Sequence, residues 1–343
     1  MNSDQDVIRW GISSTGAITE KFVADLALVD DAELVAVGSR SLERATTAAR
    51  KWEAERAEAT GRSSPIRAHG STAELAADPD VDVIYVASIQ TAHADDVLTC
   101  LEAGKPVLCE KPFAINRGQA DRMVDCAREH STFLMEAMWS RFQPAYRTLR
   151  RLLDESRIGE PVHLDASFSF CVPEERREGN RLFRPEIGGG AFIDLGIYGV
   201  HLAHFVFGPP HGVKASARLE GGVDVSTAAL LSWNHGATAS LHAGITVVGS
   251  NQARISGDRG AITLDAMMHV PHRLRLQAEG GHETLDVAPE GMGYQYQVEE
   301  VHRCLRAGEV ESDVMSWADT LAMIDTLDAV RSQIGLVYPG EQT

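Results

Sequence analysis

Short, wholly apolar runs alternate with polar-faced amphipathic stretches over the first third of the chain. Val7 to Ile12 reads as a strand, Ala17 to Leu28 as a helix, Glu33 to Gly38 as a second strand, and Leu42 to about Glu58 as a polar Ala/Arg/Glu helix. A loop follows at Gly61-Arg62-Ser63-Ser64-Pro65, and Ser71-Thr72-Ala73-Glu74 carries a capping-box pattern at the start of a short helix. Val83 to Ala87 is an apolar strand, Ala92 to Ala103 a helix stopped by Gly104 and Pro106, and Val107 to Cys109 the next strand. This alternation runs from residue 7 to about residue 136. Strands that are apolar throughout belong to a parallel sheet covered on both faces, so the first part of the chain is α/β.

The pattern changes after about residue 157. His163 to Cys171, Gly212 to Leu219, Thr227 to Trp233, Thr238 to Thr246, Ala253 to Ser256 and Arg273 to Gln277 resemble strands separated by Gly, Asn or Asp turns. One strong helix interrupts them at about Ala191 to Phe207, and two more close the chain, Tyr296 to Ala307 and Trp317 to Gln333. This predicts an α+β domain, mainly antiparallel with helices on one face. A chain of 343 residues is too long for one ordinary core. The expected division is 1–130 and 131–343.

A net charge of −17 argues against a nucleic-acid partner, which needs a basic face, and against an anionic membrane surface. It leaves a small neutral substrate open. The start Met-Asn-Ser-Asp-Gln-Asp is unlike a signal peptide, and no apolar run is read as long enough to span a membrane. Cys100, Cys109, Cys126, Cys171 and Cys304 are scattered and odd in number, which fits reduced thiols in a cytoplasmic protein better than disulfides or a zinc site.

The candidate chemistry lies at strand exits. Lys111 follows the strand in Glu110-Lys111-Pro112, where proline ends the ladder. The chain has five lysines and otherwise uses arginine. A lysine kept here suits chemistry in which an ammonium gives up a proton, and it equally suits a side chain that only reaches out to solvent. Gly11-Ile12-Ser13-Ser14-Thr15-Gly16-Ala17-Ile18 is the strand–turn–helix where a dinucleotide fold places its pyrophosphate, although Ser14 and Thr19 stand where glycine or alanine is usual. After the second strand, Ser39, Arg40 and Ser41 replace the acid that would bind a free ribose 2′-hydroxyl, with Arg44 nearby; this favours NADP over NAD. Ala87, Ser88, Gln90 and His93 follow a third strand, and Trp139 and Arg141 the sixth apolar segment, as further cofactor contacts.

In Gly188-Gly189-Gly190-Ala191-Phe192-Ile193-Asp194-Leu195-Gly196-Ile197-Tyr198, Asp194 and Tyr198 are four apart and share a helical face. Asp194 is an acid in a core-like helix, so a lysine or tyrosine partner is expected. Arg181 and Arg184, in the loop before the glycines, suit a substrate cleft or solvent equally. His201 and His204 have no ligand spacing to other donors, so no metal site is expected.

Together the Ser14-Thr15-Gly16-Ala17-Ile18 turn, Glu110-Lys111-Pro112 and Gly188-Gly189-Gly190 with Asp194 and Tyr198 resemble the Gfo/Idh/MocA oxidoreductase family over nearly the whole chain. Tyr198 and Glu136-Ala137-Met138-Trp139-Ser140-Arg141-Phe142 are similar to its dihydrodiol dehydrogenase and NADP-linked D-xylose dehydrogenase group. The resemblance implies a Rossmann domain followed by a domain with a large open sheet that commonly mediates dimerisation, hence a homodimer or dimer of dimers.

It also implies NADP with its nicotinamide near Glu110, Lys111 and Pro112, and a sugar, cyclitol or dihydrodiol between the domains. Tyr198 is then the proton acceptor, Lys111 favours its phenolate, and Asp194 orients the pair or the substrate. Two other activities occur among such proteins: glycoside cleavage by transient oxidation, and non-catalytic dinucleotide sensing. The intact lysine and acid/tyrosine helix argue against the sensor.

Overall fold

A computed structural model describes residues 7–61, 64–339 and 341. Arg62 and Ser63 of the expected loop, and the first six residues, lie outside the described residues. In chain order the strands are β1 (Ile8–Ser13), β2 (Ala32–Gly38), β3 (Arg67–His69), β4 (Val83–Val86), β5 (Val107–Glu110), β6 (Leu134–Ala137), β7 (Pro161–Ser169), β8 (Gly212–Glu220), β9 (Val223–Ser232), β10 (Thr238–Gly244), β11 (Ala253–Gly257), β12 (Gly260–Leu264), β13 (Arg273–Ala278) and β14 (Gly281–Asp286). The α-helices are α1 (Ala17–Leu26), α2 (Leu42–Thr60), α3 (Thr72–Ala76), α4 (His93–Glu102), α5 (Arg117–Glu129), α6 (Pro144–Asp154), α7 (Ile197–Phe207), α8 (Gln295–Ala307) and α9 (Trp317–Ile334).

Two compact units result, and the division is discontinuous. The first joins Met1–Ala114, Gly118–Trp139 and Glu290–Trp317; the second joins Ile115–Arg117, Ser140–Pro289 and Ala318–Thr343. The single boundary expected at residue 130 is therefore corrected. The chain returns at Glu290 because α8 has its partners in the first unit: Trp10 of β1 donates its indole N–H to His302 Nε2 at 2.9 Å, and His302 Nδ1 meets Asp31 at 3.1 Å.

In the first unit six strands pair in the order β3-β2-β1-β4-β5-β6, all parallel. Strand order reverses between β1 and β4, and open α/β sheets bind ligands beyond the carboxyl ends of strands at such a point. The turn after Ser13 and the Ala87-Ser88 segment follow these two strands. Beneath them Trp10, Phe22 and Tyr85 are buried, with Phe22 stacked on Tyr85 at 3.9 Å between centroids.

The second unit holds an eight-stranded sheet, β14-β13-β12-β11-β7-β10-β9-β8. Only β7 and β10 pair in parallel; the other neighbours are antiparallel. Leu164, Ala166 and Phe168 of β7 point inward and alternate with less buried His163, Asp165 and Ser167. Gly199 of α7 lies against Ala166 and Leu241 on that inner face. β3, β12 and β14 had no predicted counterpart. β3 is three residues long, and β14 is an edge strand without a buried face, so neither carries an apolar alternation. Pro185–Phe207 is long and apolar enough to cross a membrane, contrary to expectation, but it is mostly buried as the core helix of this unit.

Candidate active site

The turn after β1 is built around an unusual serine. Ser14 has φ 149°, a conformation favoured by glycine, so the backbone takes the glycine-like path without the glycine. Its Oγ accepts from Gly16 N–H at 3.2 Å. Gly16 is the N-cap of α1 and brings no side-chain cap, which leaves the start of α1 suited to an anion. Thr19, at the other departure from the glycine pattern, is buried, and its hydroxyl donates to Gly16 O at 2.6 Å. Gly11 has a different task from the one expected. It lies within β1, where a Cβ would stand 3.0 Å from Val81 and 3.1 Å from Leu75, so it serves packing.

At the exit of β2, Ser41 caps α2 by accepting from Arg44 N–H at 3.3 Å, and Ser39 Oγ accepts from Ser41 N–H at 3.4 Å. Both hydroxyls are thus partly committed to the turn. Arg40 and Arg44 are exposed, and neither guanidinium has an acidic partner among the described residues. In a chain of net charge −17 this is a local cationic site at a helix N-terminus.

The Lys111 turn is gripped from three sides. Tyr85, fully buried in β4, donates its hydroxyl to Glu110 Oε1, and Glu110 Oε2 accepts from Lys111 N–H at 3.0 Å. Burial, and then the Glu110 charge, push the Tyr85 phenol well above its usual value, so it remains a donor. The Lys111–Pro112 peptide is cis. His93 meets Pro112 O at 2.9 Å with Nδ1 and Ser88 O at 3.1 Å with Nε2, and Phe113 N–H donates to Glu136 at 3.1 Å. Burial lowers the pKa of His93, and a neutral imidazole donates to only one of those two carbonyls. His93, expected at the cofactor, is instead a buried brace between the exits of β4 and β5. Ala87 N–H donates to Ser13 O at 3.2 Å, joining that exit to the β1 turn. Gln90 is buried beside it.

Trp139 stacks on Tyr294 at 4.4 Å and 11°. Arg141, also expected at the cofactor, belongs to the second unit; it pairs with Asp319 at 3.1 Å and lies 5.6 Å over the Phe205 ring.

The triple glycine of the second unit permits two close approaches. At Gly189 a Cβ would stand 2.7–2.8 Å from the carbonyl oxygens of Arg181, Leu182 and Arg184, so the preceding loop closes directly over the backbone. At Gly190, with φ 143°, a Cβ would stand 2.4 Å from Asp224 Oδ1. The loop held down by Gly189 delivers Arg181, whose guanidinium forks the buried Asp194 carboxylate at 3.0 and 2.9 Å. Arg181 is thus one partner of Asp194, beside the lysine or tyrosine expected from the sequence, because the fork geometry of guanidinium matches a carboxylate.

Phe192–Gly196 forms a π-helical turn ahead of α7, so Asp194 and Tyr198 are separated by a widened turn instead of the regular α spacing assumed from the sequence. Such turns often occur at functional sites. Tyr198 is buried, its ring 4.6 Å from His269 and 5.7 Å from Phe168. Sequence reasoning missed Asp224 and His269. An acid in the apolar Val223-Asp224-Val225 run was the available signal for the first; the second had none. His201 is fully buried, and burial holds it well below its usual pKa.

Comparison with known proteins agrees with this architecture. Residues 8–138 match the model of an oxidoreductase family with an NAD-binding Rossmann fold, and residues 146–263 match the GFO/IDH/MocA C-terminal domain. The trans-1,2-dihydrobenzene-1,2-diol dehydrogenase of Xenopus laevis is 37% identical over 348 residues, covering 96% of this chain and 99% of that protein. That of Homo sapiens is 35% identical over 346 residues, covering 98% and 99%. Among solved structures, KijD10, a 3-ketoreductase from Actinomadura kijaniata in complex with NADP and TDP-benzene, superposes with a TM-score of 0.81 at 27% identity, covering 96% of this chain and 98% of that one. With a parallel nucleotide-binding sheet, a mainly antiparallel second sheet and near full-length identity to dehydrogenases, the chain belongs to the GFO/IDH/MocA oxidoreductase family.

Proposed function

We propose that this protein is an NADP-dependent oxidoreductase that moves a hydride between nicotinamide and a secondary alcohol or carbonyl of a sugar, cyclitol or dihydrodiol. The observation that carries the cofactor choice is the pair Arg40 and Arg44, exposed at the start of α2 without acidic partners among the described residues of an acidic chain. A 2′-phosphate supplies the missing counter-charge. The turn Ser14-Thr15-Gly16 offers backbone N–H groups to a pyrophosphate, and the 3-ketoreductase that this chain resembles was solved with NADP. The substrate class rests on relatives named for dihydrodiols.

When bound, the nicotinamide accepts or supplies the hydride. The side chains handle the proton. Tyr198 takes it from the alcohol, and the Lys111 ammonium favours the phenolate that does so, since a free tyrosine, with a pKa of about 10, is a poor base. Asp194, held by Arg181, orients the hydroxyl-bearing carbon.

Turnover of a panel of aldoses, cyclitols and dihydrodiols, followed by NADPH absorbance, tests the activity. Lys111→Met is expected to abolish turnover while NADP still binds. Arg40→Ala and Arg44→Ala are each expected to weaken NADP by roughly 10- to 100-fold and leave NAD unchanged. Normal turnover in the lysine variant, or an unchanged NADP/NAD ratio in both arginine variants, rejects the corresponding half of the reading. The outer face of the eight-stranded sheet, with exposed Leu230 among Ser167, Ser216, Ala228 and Ser240, supports a homodimer; a monomer in sedimentation equilibrium at micromolar concentration rejects it.

A further inference from the structure

Asp224 lies on β9, fully excluded from solvent. Its Oδ2 accepts from Phe192 N–H at 2.8 Å and from the Thr227 hydroxyl at 2.6 Å. Phe192 opens the π turn that contains Asp194. The first N–H groups of a helix have no intrahelical acceptor, and an anion there is favoured by both the hydrogen bonds and the helix dipole. β9 is hydrogen-bonded on both edges, to β10 and β8, so the carboxylate fastens the helix start to a rigid strand.

The other oxygen gives a second observation. Among the described residues, neither Asp224 Oδ1 nor the buried Tyr338 hydroxyl has a hydrogen-bond partner. Both close on Gly190: a Cβ there would stand 2.4 Å from Oδ1 and 3.2 Å from the tyrosine oxygen. The side chain that would separate these groups from the helix start is absent, and the carboxylate sits directly against it.

We propose that Asp224 is a positioning residue for the reaction, its ionised carboxylate holding the widened first turn and thereby setting where Asp194 and Tyr198 stand. This rests on the reading that those two residues serve the chemistry. Burial pushes Asp224 up to about 6, against the pull of the Thr227 hydroxyl and the backbone N–H of Phe192. The titratable group that faces it is Tyr338 from the C-terminal tail, whose phenol is pushed up by burial, then by Asp224, and also by Asp194, itself paired with Arg181. Behind Tyr338, Arg331 lies 5.1 Å over the ring and pairs with Glu341 at 2.7 Å.

Asp224→Asn keeps the shape and most of the hydrogen bonding and removes the charge. We expect kcat to fall about tenfold, because charge-assisted hydrogen bonds become neutral ones. The acid limb of kcat near pH 6 is expected to disappear. The melting temperature at neutral pH is expected not to fall, because a buried charge has gone. A merely structural role gives the opposite pattern, a lower melting temperature with the acid limb in place, and that result overturns the proposal. If Asp224→Asn does not fold, Thr227→Val strips one hydrogen bond from the carboxylate and moves the acid limb to higher pH; an unmoved limb overturns it. Tyr198→Phe separates the two levels. Normal turnover in Tyr198→Phe removes the reading of the helix. Lost turnover there, with kcat and its pH profile untouched in Asp224→Asn, removes this inference alone.

Discussion

Arg181 closes on Asp194 through two parallel hydrogen bonds of 3.0 and 2.9 Å. The two ends of this pair differ: the Asp194 side chain is 6% exposed, while that of Arg181 is 60% exposed. A solvated loop residue therefore neutralises a carboxylate that the helix has already buried.

Removing that arginine strips two charge-assisted hydrogen bonds from a buried carboxylate. Arg181→Ala is expected to destabilise the protein by no more than about 2 kcal/mol, because the exposed arginine is screened by water. Its effect on turnover is expected to be larger, roughly 10- to 100-fold, if Asp194 orients the reacting carbon. Arg181→Lys is expected to recover little, since one ammonium cannot reproduce the fork. Calorimetry and steady-state kinetics on both variants check this; full activity in Arg181→Lys shows that the fork is not needed.

Ser14 holds φ 149°, a region in which a non-glycine residue costs on the order of 1 kcal/mol or more. Ser14→Gly is expected to raise the melting temperature by roughly 2 °C, the lost Ser14–Gly16 hydrogen bond being the weaker term. Cofactor affinity is expected to be unchanged or tighter. A fall in melting temperature shows that the serine hydroxyl, not the backbone path, governs this turn.

Tyr85 supports the Lys111 turn from below through Glu110. Tyr85→Phe leaves a buried carboxylate short of one donor, at a cost of about 1–3 kcal/mol. The expected outcome is a melting temperature several degrees lower and a severalfold fall in kcat, with the KM for NADP little changed. An unaltered kcat with the same thermal loss confines Tyr85 to stability.

Legibility from the sequence followed the range of the contacts. Strands β1, β2, β4 and β5 were readable because burial on both faces makes them continuously apolar, and the helix after Gly188-Gly189-Gly190 was readable from local punctuation. The unread features depend on distant partners. α8 belongs to the first unit through His302 and Trp10, 292 residues apart in the chain. Asp224 meets Phe192 across 32 residues, and nothing within either segment announces the pairing. The π turn was hidden for a related reason. A helical period fits Ala191 to Phe207 throughout, and the widening comes from tertiary constraints at its start, where Gly189 and Gly190 admit the loop carbonyls and Asp224. His93 was read correctly as lying at a strand exit, but which atoms its ring would meet was not encoded locally.

The buried imidazoles set the pH dependence of stability. Burial lowers the pKa of His93 and His302, holds His201 well below its usual value, and brings His204 down to about 4 against the pull of Asp319. The unfolded chain takes up protons on these rings below about 6.5, whereas the folded protein does not. Stability is therefore complete above that value and is lost as pH falls. For His204 the loss continues down to about pH 4 and amounts to roughly 3 kcal/mol over the window. Asp224 works in the other direction: its raised pKa means that the folded state gains relative stability as pH falls through about 6. Four imidazoles outweigh one carboxyl, so the melting temperature is expected to fall steadily below about pH 6.5. His204→Gln places an amide near the Nε2 position as a partner for the Thr326 hydroxyl, 2.9 Å from Nε2 in the native protein, and removes the titration. Its melting temperature is expected to depend less steeply on pH between neutrality and pH 4. Parallel curves for the two proteins show that His204 binds its proton equally well folded and unfolded, contrary to its burial.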